Sequence, residues 1–518
     1  MIAPLIDCTK LNDAQFDVVI LVNDKTSSLS SDQKPMEDAL KEFAKLTPKL
    51  EEEVTLLPLP SHPSGRLIFS PTKPLNTDIA DIRNVYEAAH TGVCRAIELE
   101  CKAPLLCVGP LRSACGGDEW MERDNLVLGV LLGAYHAAYT PLEVREMRPE
   151  RYPKVQKIGV MGASAKLREI ASAIEEGRWV ARDIGGSDPE RMAAPKIVQY
   201  MQAEMLSLKG VTMTVEKVDI NKYPLMAAVN RAASVIPRHE GRVVHLEYTP
   251  SSGDVDTNIH LVGKGITYDS GGADIKAGGH MAGMHRDKCG AAAIVGLFKT
   301  IGRLQPPGIA VHGALAFVRN SFGANAYVSD EIIISRAGQR VRVGNTDAEG
   351  RMVMADLLCE AKEKALDEKN PFLFTMATLT GHVVRAYGGY AAVLDNGPAR
   401  EKHVSQKLRD AGDKIADMVE ISTIRREDYE SNKPGSETED ILQCNNLPST
   451  MTNRGHQIPG AFLILASGLH KHGLDSPHPI PFTHIDVAGS AAEIHVQPTA
   501  SPLMMLARHF VLPRVGMK

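Results

Sequence analysis

Apolar and polar positions change period repeatedly along this chain, and the changes mark out strands and helices in alternation. Residues 16–22 are apolar and β-branched, 32–46 carry a helical period, and 54–59 and 66–70 read as short strands. A long helical stretch covers 79–100. A buried-strand run follows at 104–108, then a helix near 126–139 and a strand at 157–161. Such alternation predicts an α/β layer with a largely parallel sheet. Gly185, Gly186 and Pro189 then interrupt the pattern, and a helix is expected over 195–206. The break divides the chain into an N-terminal α/β domain at 1–186, a linker helix at 187–206 and a C-terminal domain at 207–518. The second part is again α/β, with strands predicted at 243–248, 258–268, 309–318 and 372–378 and helices at 290–304 and 351–366.

Composition narrows the function classes. The 518 residues, 43% apolar, give room for about two to four domains with a full-sized core. A net charge of −5, a pI near 6.4 and the absence of a long Lys/Arg run argue against a nucleic-acid or acidic-membrane partner. The longest apolar run, 126–139, is too short to span a bilayer and contains His136. The N-terminus lacks the basic and apolar regions of a signal peptide, so a cytoplasmic location is expected. The eight cysteines form no CxxC and fit reduced thiols. The group Cys94, Cys101, Cys107 and Cys115 matches no zinc spacing and reads as buried small hydrophobes rather than a metal site.

Two stretches carry chemistry. Residues 345–351 read NTDAEGR and open onto a helix-like run. If that segment is extended, the carboxylates of Asp347 and Glu349, two apart, project to one side where a hard cation takes both, with Arg351 as a fixed charge beside them. About eighty residues upstream, 262–290 read VGKGITYDSGGADIKAGGHMAGMHRDKCG. There Asp269 ends an apolar strand, the place where open α/β sheets put ligands. Gly271 and Gly272 follow it and permit a sharp turn. Lys264, five residues earlier, faces away from Asp269 in a flat strand. A kink is required, and Gly263 and Gly265 are the residues expected to supply it.

The ordered pair VGKGITYDSGG and NTDAEGR, with Ile275-Lys276 and Met284 ahead of Asp287 between them, resembles the leucyl aminopeptidase (cytosol aminopeptidase) family of dinuclear metallopeptidases. The resemblance implies a smaller N-terminal lobe and a larger C-terminal catalytic α/β domain whose mixed central sheet is flanked by helices. It also implies two divalent metal ions, zinc foremost with manganese or magnesium as alternatives. Asp269 and Glu349 would bridge them, Asp347 would bind one, and Lys264, as neutral amine, with Asp287 would complete the other. Catalysis would then run through a metal-bridged hydroxide, with Lys276 stabilising the oxyanion and a bicarbonate at Arg351 relaying the proton. Met284, Thr378, Leu379 and Gly381 match its substrate-binding positions. The implied substrates are peptides with a free N-terminus and a leucine-like first residue. The implied assembly is a homohexamer near 340 kDa, about six times the 56.2 kDa chain.

The chain departs from the family pattern at Asp274, Lys288, Cys289, His382, Pro459 and Gly460, and at 327–330, without touching a presumed ligand. Other hydrolytic signatures fail: His239-Glu240 begins HExxH, but Val243 holds the second histidine position, and no GxSxG is present. The rival readings are a catalytically weak family member acting as a regulatory or binding protein, and a dinuclear phosphatase.

Overall fold

The computed structural model describes residues 2–111, 119–491 and 496–517. It divides into two compact units, Met1–Trp179 with Gly412–Asp417, and Val180–Ala411 with Met418–Lys518. The division falls inside the helix Ala165–Gly186, not at its end where the glycines were read as a break. That helix continues through Gly185 and Gly186 because both are points of close packing. A Cβ on Gly185 would lie 2.8 Å from the Cys289 sulfur, and one on Gly186 3.0 Å from Pro498. The helix Ala194–Met205, read as a linker, packs on the sheet of the second unit.

In the first unit six strands, β1 (Leu5–Asp7), β2 (Val18–Asn23), β3 (Thr55–Pro58), β4 (Arg66–Pro71), β5 (Pro104–Val108) and β6 (Ile158–Met161), form one sheet in the order β1-β6-β5-β2-β4-β3. All pairs are parallel except β3 with β4. The central strand β2, VVILVN, is buried on both faces, which is why it reads as a continuous apolar run. The helices Arg83–Glu98 and Arg123–Ala138 pack on each other; the second is apolar nearly all round and buried almost throughout.

The second unit is built on an eight-stranded mixed sheet. Its strands are β7 (Val211–Lys217), β8 (Arg242–Tyr248), β9 (Val255–Asp269), β10 (Gly308–Asn320), β13 (Pro371–Ala377), β14 (Ala391–Asp395), β15 (Val419–Thr423) and β17 (Phe482–Asp486), in the order β15-β14-β17-β13-β9-β10-β8-β7. A small sheet of β11 (Ile332–Ile334), β12 (Arg340–Arg342) and β16 (Ile441–Leu442) stands apart. The four strands β10, β9, β13 and β17 run parallel, so their C-terminal ends share one edge. The apolar helix Cys289–Leu304 and the helix Glu349–Ala365 cover this parallel core. Among the described residues no helix is long and apolar enough to cross a membrane. Seven cysteines are free thiols, and Cys115 lies outside the described residues.

Candidate active site

The residues singled out in the sequence meet at the C-terminal edge of the parallel strands. Asp269 is the last residue of β9, followed by Gly271 and Gly272 at φ 89° and 69°, a left-handed turn that a side chain would strain. The kink does come in β9, but later than Gly263 and Gly265. Register with β10 is unbroken from Leu315↔Gly263 to Val318↔Ile266 and then shifts, so that Asn320 faces Asp269. One extra residue therefore sits in β9 at Thr267–Tyr268, and the bulge brings Lys264 and Asp269 to one side. Gly263 and Gly265 serve packing instead: a Cβ would lie 2.7 Å from Ala291 Cα in one case and from the Ala316 carbonyl oxygen in the other.

NTDAEGR is not extended either. Asp347 lies in a turn and Glu349 opens the helix Glu349–Ala365, so helix geometry, not strand alternation, sets the two carboxylates together. Buried Gln443 fixes the turn, its side-chain oxygen accepting the Gly344 and Asn345 N–H groups at 2.9 and 3.0 Å and its amide donating to the Ala348 carbonyl at 3.0 Å. Asp274, a departure from the family pattern, accepts the Thr346 N–H at 2.8 Å and so ties the two motif loops together.

In the resulting cluster one carboxylate oxygen from each of Asp269, Asp347 and Glu349 lies within 4.8 Å of the others. Lys264, 3% exposed, places Nζ 2.8 Å from Asp287, 2.9 Å from Glu349 and 2.8 Å from the Thr378 carbonyl. Lys276 Nζ is 2.8 Å from Asp269 and also contacts Asp347. Burial would lower Lys264, but Asp287, Glu349 and Asp269 outweigh it and hold the ammonium above the usual lysine range. Burial, with repulsion from Asp269, pushes Asp347 up to about 7 and raises Glu349. Burial likewise raises Asp287, with Glu349 adding to it against the pull of Lys264. Four acids crowded this closely have only the two ammonium groups of Lys264 and Lys276 as counter-charge.

The residues present fit divalent ions. Asp287 Oδ2 and Glu349 Oε2 are buried and have no hydrogen-bond partner, which is costly unless a cation takes them. All-oxygen carboxylate groups with one amine are donors for hard to borderline cations.

Arg351 is buried among Gln443, Cys444 and Phe462, its Nη1 donating to the Gln443 carbonyl at 2.9 Å while Nε has no partner. The cluster forms part of the wall of a cavity of about 350 Å3, within the ligand-pocket range. Met284, Thr378, Leu379 and Gly381 line it. Thr378 also donates its hydroxyl to Asp287 at 2.8 Å.

Besides Gln443, sequence reasoning missed two supports. Asn320, fully buried, donates to Asp269 at 2.8 Å and to the Thr346 carbonyl at 3.1 Å. Asp486 accepts the Leu379 N–H at 3.1 Å and the Thr380 hydroxyl at 2.6 Å, holding the loop 378–381 that lines the cavity. Asp486 carries the same signal as Asp269, an acid closing an apolar parallel strand. Of the remaining departures, His382, Lys288 and Pro459 are not part of the cavity lining. His382 meets His456 at 2.7 Å, Lys288 donates to the Ser187 carbonyl at 3.2 Å, and Pro459 sits in the first turn of the helix Gln457–Ala466, where its missing N–H is tolerated.

Carboxylates joined by a buried lysine at the mouth of parallel strands define a metal-dependent hydrolase. The comparisons then fix which kind. Residues 179–507 match the family model described as "Cytosol aminopeptidase family, catalytic domain", and the chain belongs to that family of metal-dependent aminopeptidases. A Caenorhabditis elegans protein named "Putative aminopeptidase" is 39% identical over 99% of this chain and 98% of its own length. Proteins named "Probable cytosol aminopeptidase" from Persephonella marina and Thermosynechococcus vestitus are each 31% identical. The matches cover 60% and 68% of this chain and 61% and 65% of theirs, so the chain spans under two thirds of these bacterial relatives. The solved structure "Bottromycin maturation enzyme BotP in complex with Mn" has the same fold, with a TM-score of 0.74 over 95% of this chain and 98% of its own at 19% identity.

Proposed function

We propose that this enzyme uses two divalent ions to release the unblocked N-terminal residue of peptides, with a preference for leucine-like side chains. The observation that carries the reading is the convergence of Asp269, Asp347 and Glu349 with Lys264 and Asp287 in the wall of one cavity. In this assignment Asp269, Asp347, Glu349 and Asp287 would hold the ions together with Lys264, which would give up its proton to ligate as the neutral amine. Zinc is the first candidate. Manganese, with which BotP forms its complex, and magnesium are the others. Bound there, two ions would supply Lewis acidity and a hydroxide nucleophile at neutral pH.

The chain's own residues supply the rest. The four carboxylates nearly balance the charge of two divalent ions, which would leave a site that takes the substrate's free amine in its neutral form. Lys276, tied to its loop by an N–H bond to the Ser270 carbonyl at 2.9 Å, offers its ammonium to the developing oxyanion. Arg351, with its unpartnered Nε, suits a small anion such as bicarbonate that moves the proton. Met284 and Leu379 supply apolar lining for an aliphatic side chain. A cytoplasmic location, in keeping with the "cytosol aminopeptidase" names of the relatives, and a homohexameric assembly complete the reading.

The test is hydrolysis of leucyl, aspartyl and N-acetyl-leucyl amides by chelated and metal-reloaded protein. Activity should follow the metal, favour leucine and vanish with the acetyl group; equal turnover of the acetylated substrate would exclude an aminopeptidase. Glu349→Ala should lose metal, whereas Lys276→Ala should keep it and lose about 10² to 10³ in rate.

A further inference from the structure

A second cluster of metal-ligand side chains lies in the same unit, away from the cavity. His260 on β9 and His312 on β10 are register partners, so their side chains leave the same face of the sheet. Their rings stack at 4.6 Å between centroids, 17° from parallel. Glu368, just past the helix Glu349–Ala365, reaches both: one oxygen is 2.5 Å from His260 Nε2 and the other 3.5 Å from His312 Nε2. One donor atom from each of the three lies within 4.8 Å of the others.

Three observations separate this from an ordinary His–Glu pair. Both ring nitrogens of His312 are buried without a hydrogen bond, an orphaned pair in a region that packing otherwise satisfies. Glu247, the register partner of His312 on β8, stands 3.9 Å from Nδ1, beyond a hydrogen bond but adding negative charge beside the ring. Beside the rings is a cavity of about 20 Å3, room for a single water or ion, lined also by His245 and Glu360. Lys364 lines it too and opposes a cation, but its Nζ is 3.5 Å from Glu360. Burial and the neighbouring His260 keep His312 below the usual histidine range, hence neutral as a ligand must be. His260 is 2% exposed, while Glu368 and His312 are only half-buried and leave an ion a way in.

We propose that His260, His312 and Glu368 bind one zinc ion through the two Nε2 atoms and a Glu368 oxygen, as a structural site distinct from the carboxylate–lysine cluster. Two imidazoles and a carboxylate are a zinc donor set, with a water completing the tetrahedron. Binding displaces the proton that Nε2 of His260 shares with Glu368. The site ties β9, upstream of Lys264, to the chain just past the C-terminal end of the helix Glu349–Ala365. His260 lies four residues before Lys264 on β9, and Glu368 follows a helix about 25 Å long that begins at Glu349.

The test is chelator-stripped protein reloaded with zinc, with metal counted per chain and the zinc X-ray absorption edge recorded. The proposed catalytic ligands include no histidine, so imidazole scattering at a Zn–N distance of about 2.0 to 2.1 Å reports on this site alone. Wild type should show it, and zinc should raise the melting temperature. His312→Ala and Glu368→Gln should each lose one equivalent of zinc, the imidazole signal and that thermal gain. A wild-type spectrum without imidazole at saturating zinc overturns the proposal even if His312→Ala fails to fold. Imidazole scattering that survives Glu368→Gln and His312→Ala overturns it as well. Were the catalytic cluster metal-free instead, this one equivalent would remain.

Discussion

Gly350→Ala separates activity from stability at the heart of the site. A Cβ at Gly350 would lie 2.6 and 2.7 Å from Cε and Cδ of Lys264 and 2.7 Å from Leu379 Cδ1, where ordinary contact begins at 3.4 Å. The lysine stem must therefore retreat by about 0.8 Å. It cannot do so freely, because Nζ is held by Thr378, Asp287 and Glu349 at 2.8 to 2.9 Å. Overpacking of this kind costs about 1 to 3 kcal/mol. Replacing a helical glycine by alanine returns about 1 kcal/mol, so the net loss is about 0 to 2 kcal/mol. A displacement near 1 Å of a catalytic group costs about 10² in rate. The expected result is thus a kcat/KM down about 100-fold in protein that melts within several degrees of wild type. Steady-state hydrolysis of leucyl amides, normalised to folded protein by calorimetry, measures both. Gly389→Ala is the control, since a Cβ there meets nothing within 4 Å. Full activity in Gly350→Ala, or a loss explained by unfolded protein, would refute the packing argument.

Other substitutions test the scaffold. Gly290→Ala puts a Cβ 2.2 Å from the Met376 carbonyl oxygen, pushing the helix Cys289–Leu304 off β13; a loss of about 3 kcal/mol or more is expected by denaturant titration. Tyr327→Phe removes the 2.7 Å hydrogen bond to the Thr346 carbonyl, which Asn320 still reaches, and should cost about 1 kcal/mol while leaving metal content unchanged. Burial holds His456 down at about 4, with His382 and Arg454 adding to it, and holds His484 down at about 3. The unfolded chain binds protons there that the native state refuses, so stability should fall as pH drops from about 6.5 toward 4. His456→Gln should reduce that slope by about one proton, and an unchanged slope would show that His456 charges in the native state.

The site was legible where chemistry is local in sequence. Asp269, Gly271 and Gly272 announce a strand end and a turn within four residues, and Asp347, Glu349 and Arg351 within five. What depends on chains meeting was not legible. Asn320 and Gln443 look like any polar residues until β10 and β16 bring them to the motif loops. Element types followed the apolar period well where strands are buried on both faces, as in β2 and β5. Elements that went unread include β7, although Val211, Met213 and Val215 alternate there with polar residues, the two-residue β16, too short to show a period, and the long helix Ala165–Gly186, whose terminal glycines imitate a break. The same ambiguity misplaced the kink in β9: a glycine signals either backbone freedom or tight packing, and only the neighbours distinguish them.

The extra residue at Thr267–Tyr268 makes the site a matter of parity. Lys264 and Asp269 are separated by an odd count on β9, while their partners Ala316 and Asn320 on β10 are separated by an even one. Only the even count returns a side chain to the same face of a sheet. The bulge converts one into the other, and deleting a residue there would straighten the strand and redirect Asp269 without altering a single ligand. A designer who grafted these ligands onto another parallel sheet at matching sequence spacing, but on a regular strand, would obtain every donor atom and no site.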